Sequence, residues 1–348
     1  MPILTMPANE KPKIRVVVVD DSNICRASIG AMLQQDGDIE VVGEGEDGFV
    51  ALSLVETLKP DLVTMDVQMP GKSGLEAVQQ IMARRPVPIL VVTTESLGDE
   101  DGVAFTAIEN GALDIIAKPS LADAQAGADM RALVRRLAKT PVFQIVDVSD
   151  EKPETMPAPP SETGVDWFGV VAGSGGMPSV LGLVSRLPAT GLRCPLVIHL
   201  PVARQMVDAF ARHIERLAKQ RVVIADGAEV KCAPGEIVLV LGKRAICTSR
   251  GVLRVEDDAP SASAFFSSAA EVYGSTAVAV ILAGDGRDGV DGLKRIREAH
   301  GETIAESPLS AGVPELPAAA VEADLVDAVL RVEDIADRIH AMSSLKHR

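Results

Sequence analysis

Three carboxylates, a hydroxyl and an ammonium group end successive aliphatic runs in the first third of the sequence. Asp20 and Asp21 follow one run, Asp66 ends a second, Thr93 ends a third, and Lys118 closes the block. Buried parallel strands read as continuous aliphatic runs, and their carboxyl ends meet at one edge of a sheet. These five side chains are therefore expected to share a pocket. Such a pocket can hold Mg²⁺ through oxygen ligands and accept a phosphoryl group on one carboxylate.

Each member of this acidic set has an expected role. Asp66 is the candidate nucleophile toward a phosphoryl donor, and Asp20 and Asp21 join it as candidate metal ligands. Lys118 would pair with a phosphoryl oxygen, while Thr93 would donate a hydrogen bond to it. The alternative is that the aspartates only cap helices that follow strands. That alternative is preferable for one aspartate alone, but the order of the whole set favours a phosphoacceptor site.

A second set of candidate residues lies in the other half of the chain. Ser174 stands among small residues between a predicted strand and a predicted helix, as in a nucleophile elbow. His199 ends the next predicted strand and could act as a general base, and Asp288, in a glycine-rich acidic turn, could orient it. Each motif alone has another interpretation: a phosphate-binding loop for Ser174, a structural histidine, and a capped or metal-binding turn for Asp288.

Short apolar runs alternate with helical stretches along the sequence, and this alternation predicts the strands and helices that would position these residues. Strands are predicted at residues 15–19, 61–65 and 89–92, with helices at 22–35, 47–57, 74–84, 99–110 and 122–138. In the second region, strands are predicted at 168–172, 195–199, 221–224, 236–241, 277–282 and 325–326. Helices are predicted there at 177–187, 206–220, 262–273 and 290–300, and a hairpin at 242–257. This alternation predicts an α/β protein with two doubly wound parallel-sheet domains.

The domain boundaries follow from changes in composition. We predict a tail at 1–13, a first domain at 14–139, a linker at 140–166, a second domain at 167–342 and a tail at 343–348. The linker is acidic and rich in proline, with little apolar surface to bury, so it should be extended.

Composition and charge exclude several classes of protein. The chain has 348 residues, of which 47% are hydrophobic and only 3% aromatic, so its cores must be aliphatic. A formal charge of −15 opposes binding to nucleic acid. No apolar stretch reaches the roughly 20 residues that span a bilayer, and no signal peptide is evident. The four cysteines lack CxxC spacing, which indicates reduced thiols. We therefore expect a cytoplasmic protein without direct membrane insertion.

The first block resembles the response-regulator receiver family over most of residues 14–139. The resemblance implies that Asp66 is the phosphorylation site, that Mg²⁺ is bound beside it, and that Thr93 and Lys118 are switch residues. It also implies a histidine kinase as partner. The family often has Tyr or Phe three residues before the lysine, where this chain has Ile115. The switch is therefore expected to use a different surface.

The second region resembles the catalytic domain of the chemotaxis protein-glutamate methylesterases. Three segments correspond to that family's Gly-Ala-Ser-Thr-Gly-Gly-Pro, Gln-His-Met-Pro and Gly-Met-Gly-x-Asp-Gly motifs: residues 172–178, 198–201 and 284–289. The resemblance implies a catalytic triad of Ser174, His199 and Asp288. It also implies that backbone N–H groups at Gly175 and Asp285 bind the oxyanion, with no cofactor at this site.

Several positions depart from the methylesterase pattern. Gly175 replaces the threonine, Met177 replaces the second glycine, and Asp285 replaces a methionine. A carboxylate at Asp285 would oppose the negative charge of an oxyanion. Shifting the alignment by one residue would put Gly173 at the nucleophile position and imply an inactive enzyme. The register that keeps the serine and the proline together is preferred.

The combined resemblance implies phosphorylation-controlled hydrolysis of glutamate methyl esters on methyl-accepting chemoreceptors. Deamidation of receptor glutamines would follow the same route, and the unphosphorylated receiver would cover the active-site cleft. Two alternatives remain. One is a non-catalytic response regulator whose degenerate methylesterase domain acts as a binding module. The other is a hydrolase for a different ester, because the altered positions would reshape the pocket.

Overall fold

Two parallel β-sheets flanked by helices form the framework, which confirms the predicted α/β fold class. The computed structural model describes residues 12–69, 74–93, 103–120, 123–140, 142, 164–202, 206–227, 229–256 and 258–344, apart from the side chains of 103 and 104. Most of the predicted linker and tails lies outside the described residues. The first residues of the predicted helices 99–110 and 122–138 also lie outside the described residues.

The first sheet contains five parallel strands whose aliphatic side chains are buried. They are β1 (Ile14–Val19), β2 (Ile39–Gly45), β3 (Leu62–Met65), β4 (Ile89–Thr93) and β5 (Asp114–Ala117). Their order across the sheet is β2-β1-β3-β4-β5. Because β1, β3 and β4 are neighbours, the polar residues that follow them meet at one edge.

Helices cover both faces of this sheet. They are α1 (Asn23–Leu33), α2 (Gly48–Leu58), α3 (Gly74–Arg84), α4 (Val103–Glu109) and α5 (Ala124–Leu137). Short polar side chains cap three of them: Ser22 accepts from the Cys25 N–H of α1, Asp47 caps α2, and Asp123 caps α5.

The second sheet has seven parallel strands. They are β6 (Trp167–Val171), β7 (Leu196–Leu200), β8 (Arg221–Ile224), β10 (Glu236–Leu241), β13 (Ala277–Ile281), β14 (Glu302–Glu306) and β15 (Ala328–Leu330). Their order is β15-β14-β13-β6-β7-β10-β8. The strands β13, β6 and β7 are therefore adjacent, and their carboxyl ends carry the candidate catalytic residues.

Helices and a small antiparallel sheet surround the second sheet. The helices are α6 (Met177–Ser185), α7 (Val207–Ala218), α8 (Ala262–Tyr273), α9 (Val290–Glu298), α10 (Glu315–Glu322) and α11 (Val332–Ser344). The small sheet contains β9 (Val230–Lys231), β11 (Arg244–Ser249) and β12 (Val252–Glu256), and its β11–β12 pair confirms the predicted hairpin. No helix in the described part of the chain is long and apolar enough to cross a bilayer.

The last strands differ from the sequence-based expectation. The strand predicted at 325–326 is wrong, because β15 begins at Ala328, and β14 was not predicted at all. Two glutamates bound β14 and obscure its aliphatic character. Both are buried: Glu302 forms a 2.6 Å hydrogen bond with the guanidinium of Arg338, and Glu306 accepts hydrogen bonds from two neighbouring segments.

The two domains pack directly against each other through a continuous apolar core. The Phe105 ring of α4 stacks on the His213 ring of α7 with centroids 4.8 Å apart, and it also contacts Phe210 at 5.8 Å. His213 Nε2 lies 3.5 Å from a carboxylate oxygen of Glu109. Burial lowers the pKa of His213, and the Glu109 charge opposes that effect. The contact is therefore mainly apolar, with one polar pair at its side.

Candidate functional site

The acidic residues of the first domain come together as predicted from their order. Asp20, Asp21 and Asp66 each offer one carboxylate oxygen, and these oxygens all lie within 4.8 Å of one another. Asp20 and Asp66 are buried, whereas Asp21 is exposed at the mouth. Such a cluster of hard oxygen donors fits Mg²⁺, with solvent completing the coordination from the exposed side.

Lys118 joins two of these carboxylates. Its Nζ lies 2.6 Å from Asp66 Oδ2 and 2.7 Å from Asp20 Oδ2. Burial acts to lower the pKa of Lys118, but the hydrogen bonds to Asp20 and Asp66 outweigh it and raise that pKa. The lysine is therefore charged at neutral pH and partly balances the acidic cluster.

The buried hydroxyl of Thr93 is a further candidate partner for a phosphoryl group. Its Oγ1 makes no hydrogen bond among the described residues, while its carbonyl oxygen accepts from the Lys118 N–H at 2.6 Å. An unpaired buried hydroxyl is costly. A phosphoryl oxygen on the neighbouring carboxylate would satisfy it.

Ser174 lies in a tight turn between β6 and α6. The turn crosses the loop after β13, since Gly173 N–H donates to Ala283 O at 3.1 Å. A Cβ on Gly173 would stand 2.8 Å from Asp285 O, and one on Gly176 only 2.1 Å from Ala283 O. No side chain fits at Gly173, which supports the register that places Ser174 at the nucleophile position.

Asp285 forms hydrogen bonds with both the N–H and the C=O group of Ser174. Its Oδ1 accepts from Ser174 N–H at 2.9 Å, and its own N–H donates to Ser174 O at 3.2 Å. The carboxylate therefore helps to fix the turn. The same contact occupies the Asp285 N–H that the resemblance assigned to the oxyanion.

His199 lies in β7, and its carbonyl accepts from the Ala172 N–H at 3.0 Å. Its ring is buried, stacks on Phe265 of α8, and places Nε2 3.1 Å from Lys243 O. A carbonyl can only accept, so Nε2 carries the proton in this arrangement and Nδ1 is the basic nitrogen. Burial lowers the pKa of His199, while the Asp288 charge raises it by less. The imidazole is therefore neutral near pH 7.

Asp288 caps α8 in this structure. Its two carboxylate oxygens accept from Ala262 N–H at 2.8 Å and Ser263 N–H at 3.0 Å. The carboxylate therefore affects His199 through its negative charge and not through a hydrogen bond. Among the described residues, no hydrogen bond joins Ser174 to His199 or His199 to Asp288. The three residues occupy one edge of the sheet without forming a hydrogen-bonded triad here.

Comparisons with known proteins match both halves of the chain. The CheB methylesterase family matches residues 168–339, and the response regulator receiver domain matches residues 16–126. The protein-glutamate methylesterase/protein-glutamine glutaminase 3 of Anaeromyxobacter dehalogenans is 36% identical, over 94% of this chain and 98% of that protein. This chain belongs to the CheB methylesterase family. A Myxococcus xanthus protein with the same printed name is 34% identical, over 90% of this chain and 89% of its own length.

In this family member a cavity of about 510 Å³ lies between the receiver domain and the turn that carries Ser174. Ser174 lines the cavity from one side, and β5 and α5 line it from the other. A Cβ on Gly175 would stand 3.8 Å from Leu137 of α5. Arg136 Nε, also on α5, lies 3.5 Å from Asp285 Oδ2. Both domains therefore build the surroundings of the candidate nucleophile.

Three residues that surround this candidate site could not be identified from the sequence. Arg136 lies on a receiver helix with two further arginines nearby, and nothing distinguishes it until the domains dock. Lys243 acts through its carbonyl oxygen, which any residue would supply. Glu306 ends a strand that was not predicted. Its only sequence signal is its position after an aliphatic run, like Asp20 and Asp66.

Proposed function

We propose that this protein hydrolyses glutamate γ-methyl esters on chemoreceptors, and receptor glutamine amides by the same route, under control of phosphorylation at Asp66. One observation carries the proposal. The adjacent strands β13, β6 and β7 bring the acidic turn, the Ser174 turn and His199 to the same edge of the second sheet. The names of the full-length relatives support the substrate class.

The proposed reaction begins with proton transfer from Ser174 to the neutral imidazole of His199. The serine oxygen then attacks the ester carbonyl, the oxyanion forms, and methanol leaves with the proton that His199 returns. Water hydrolyses the acyl-enzyme by the same proton transfers. The Asp288 charge stabilises the imidazolium during both steps.

This chemistry requires one new hydrogen bond and the exchange of an existing one. The serine hydroxyl has to approach the basic nitrogen of His199, and the Asp285 N–H has to turn from Ser174 O to the substrate oxygen. Gly175 N–H is the second donor that we assign to the oxyanion. The docked receiver domain occupies the space above this turn, so we assign the structure to the inhibited state.

Phosphorylation would act through the end of β5. A phosphoryl group bonded to an Asp66 carboxylate oxygen would offer new acceptor oxygens to Lys118, which now contacts Asp66 Oδ2, and to the Thr93 hydroxyl. Lys118 directly follows β5, whose residue Ile115 lines the interdomain cavity. Movement there would loosen the contact with the effector domain. Mg²⁺ on Asp20, Asp21 and Asp66 would neutralise charge on the transferring group, and a chemosensory histidine kinase would supply the phosphoryl group.

The direct test is methanol release from a methylated chemoreceptor by the full-length protein. Release should rise when Mg²⁺ and a phosphoryl donor are added. If phosphorylated protein binds receptor but releases no methanol, the binding-module alternative replaces the esterase. The occupied N–H of Asp285 and the missing serine–histidine hydrogen bond are the observations that favour this second candidate.

The fall of kcat/KM at acid pH should report the pKa of His199, which must be neutral to act as the general base. Burial lowers the pKa of His199 below its ordinary 6.5, so kcat/KM should fall to half its plateau at a pH below 6.5. Asp288→Asn should move that midpoint to still lower pH, because it removes the charge that raises this pKa while an amide can still cap α8. A midpoint above pH 6.5 would contradict the assignment of His199.

The ion pair between Arg136 and Asp285 should contribute modestly to inhibition. Because Arg136 is half exposed, we expect Arg136→Ala to raise unphosphorylated activity about 1.4-fold to fivefold, from about 0.2–1 kcal/mol of lost attraction. Basal methanol release at low salt measures this, and the difference should shrink at high salt. Arg135→Ala is the matched control, since the ion pairs that Arg135 forms within the described residues are with Asp36 and Asp38 of the receiver domain. Equal activation by both variants would refute the pair's role.

A further inference from the structure

Glu306 is a buried carboxyl near the effector site that the proposed reaction does not use. It is the last residue of β14, and only 2% of its surface is exposed. Its Oε2 accepts from Ala283 N–H at 2.8 Å, and its Oε1 accepts from Ser179 Oγ at 3.1 Å. Both carboxylate oxygens are therefore occupied by groups from two different segments.

Those two segments are the ones that position the reacting groups. Ser179 lies in the first turns of α6, just beyond the turn that carries Ser174. Ala283 begins the loop that leads to Asp288, and its carbonyl accepts from Gly173 N–H. Glu306 thus contacts helix α6 and the loop after β13, beside the Gly173–Ala283 hydrogen bond where the Ser174 turn crosses that loop.

We propose that Glu306 is a positioning residue for ester hydrolysis, which holds the Ser174 turn and the acidic turn in register by bonding to Ser179 and Ala283 at once. The inference rests on the proposed function and adds a residue to it. Glu306 acts through these neighbours and does not touch the substrate.

Burial argues against a role in stability alone. An apolar side chain in the same place would avoid the cost of a buried carboxyl, although the Ala283 N–H would then lack a partner. Burial raises the pKa of Glu306 to about 7, the Ala283 and Ser179 hydrogen bonds act to lower it, and the charge of Glu333 on α11 raises it further. The carboxyl therefore changes its protonation near neutral pH, and only the ionised form accepts on both oxygens without a proton to place.

The test compares two variants of the full-length phosphorylated protein. Glu306→Leu removes both acceptors, and we expect kcat to fall about tenfold to a hundredfold with KM within about threefold, as small misplacements of reacting groups cause. Glu306→Gln keeps an acceptor for Ala283 and a partner for Ser179, so kcat should stay within about threefold of the parent.

Glu302 supplies the matched control. It is a buried glutamate on the same strand, but its partner is Arg338, at the opposite end from Ser174. Glu302→Gln should lower Tm and leave kcat unchanged. If Glu306→Leu keeps the parent kcat, or if Glu302→Gln loses as much, the positioning role is refuted.

Hydrogen exchange separates this inference from the proposed function. The amide of Ala283 should exchange faster in Glu306→Leu than in the parent, whether or not the protein releases methanol. An inactive parent protein would refute the esterase. An active parent with unchanged kcat and unchanged exchange in the variant would refute only the role of Glu306.

Discussion

Ser174→Ala should lower kcat/KM for methyl-ester hydrolysis by a factor of about 10⁴ or more, because the attacking oxygen is lost while binding groups remain. The fold should tolerate the change. Asp285 contacts Ser174 through backbone N–H and C=O groups, which alanine retains. Methanol release from methylated receptor by phosphorylated protein is the measurement, and receptor binding should be unchanged.

Ser185→Ala is the control for this substitution. Ser185 is the last residue of α6, the helix that follows the Ser174 turn, and within the described residues its hydroxyl donates to Gly182 O. It should behave as the parent protein does. If Ser174→Ala keeps more than a small fraction of the parent rate, Ser174 is not the nucleophile and the esterase mechanism fails.

Asp66→Asn should abolish phosphorylation and, with it, activation. An amide cannot attack the phosphoryl donor, and the Mg²⁺ cluster loses one of its three carboxylates. Lys118 keeps its contact with Asp20, so the domain should stay folded. Incorporation of labelled phosphoryl group from an acyl phosphate should fall to background. Methanol release should then stay at the unphosphorylated level.

Asp61→Asn tests whether any aspartate of the sheet would have the same effect. Asp61 precedes β3 at the opposite end from Asp66 and accepts from Arg15 N–H at 2.7 Å. Its variant should be phosphorylated normally. Removing Mg²⁺ with a chelator should stop labelling of the parent protein. Labelling of Asp66→Asn at the parent rate would contradict the assigned phosphorylation site.

The receiver pocket could be predicted from sequence because short-range pattern and sheet topology determine it. Asp20 and Asp66 each follow a continuous aliphatic run, and parallel strands bring such ends together. Lys118 follows β5, which completes the same edge. No long-range contact had to be known beyond the strand order.

The candidate site of the second domain was harder to predict from sequence, because its details depend on contacts between distant segments. The spacing around Asp288 indicated an acidic turn, but not that its carboxylate would cap α8. The sequence suggested that Asp285 would oppose an oxyanion, whereas the structure uses it to bind the Ser174 backbone and Arg136. The buried role of Glu306 required the partners that only folding supplies.

The shared apolar core has a consequence for how long a signal lasts. Separating the domains must wet Phe105 and the surfaces of α6 and α7 that now exclude water. Under the proposed phosphorylation control, the hydrophobic effect would close the two domains again once the phosphoryl group is lost. The protein would then reset without a second partner, and the lifetime of its active state would be set by the hydrolysis of one acyl phosphate.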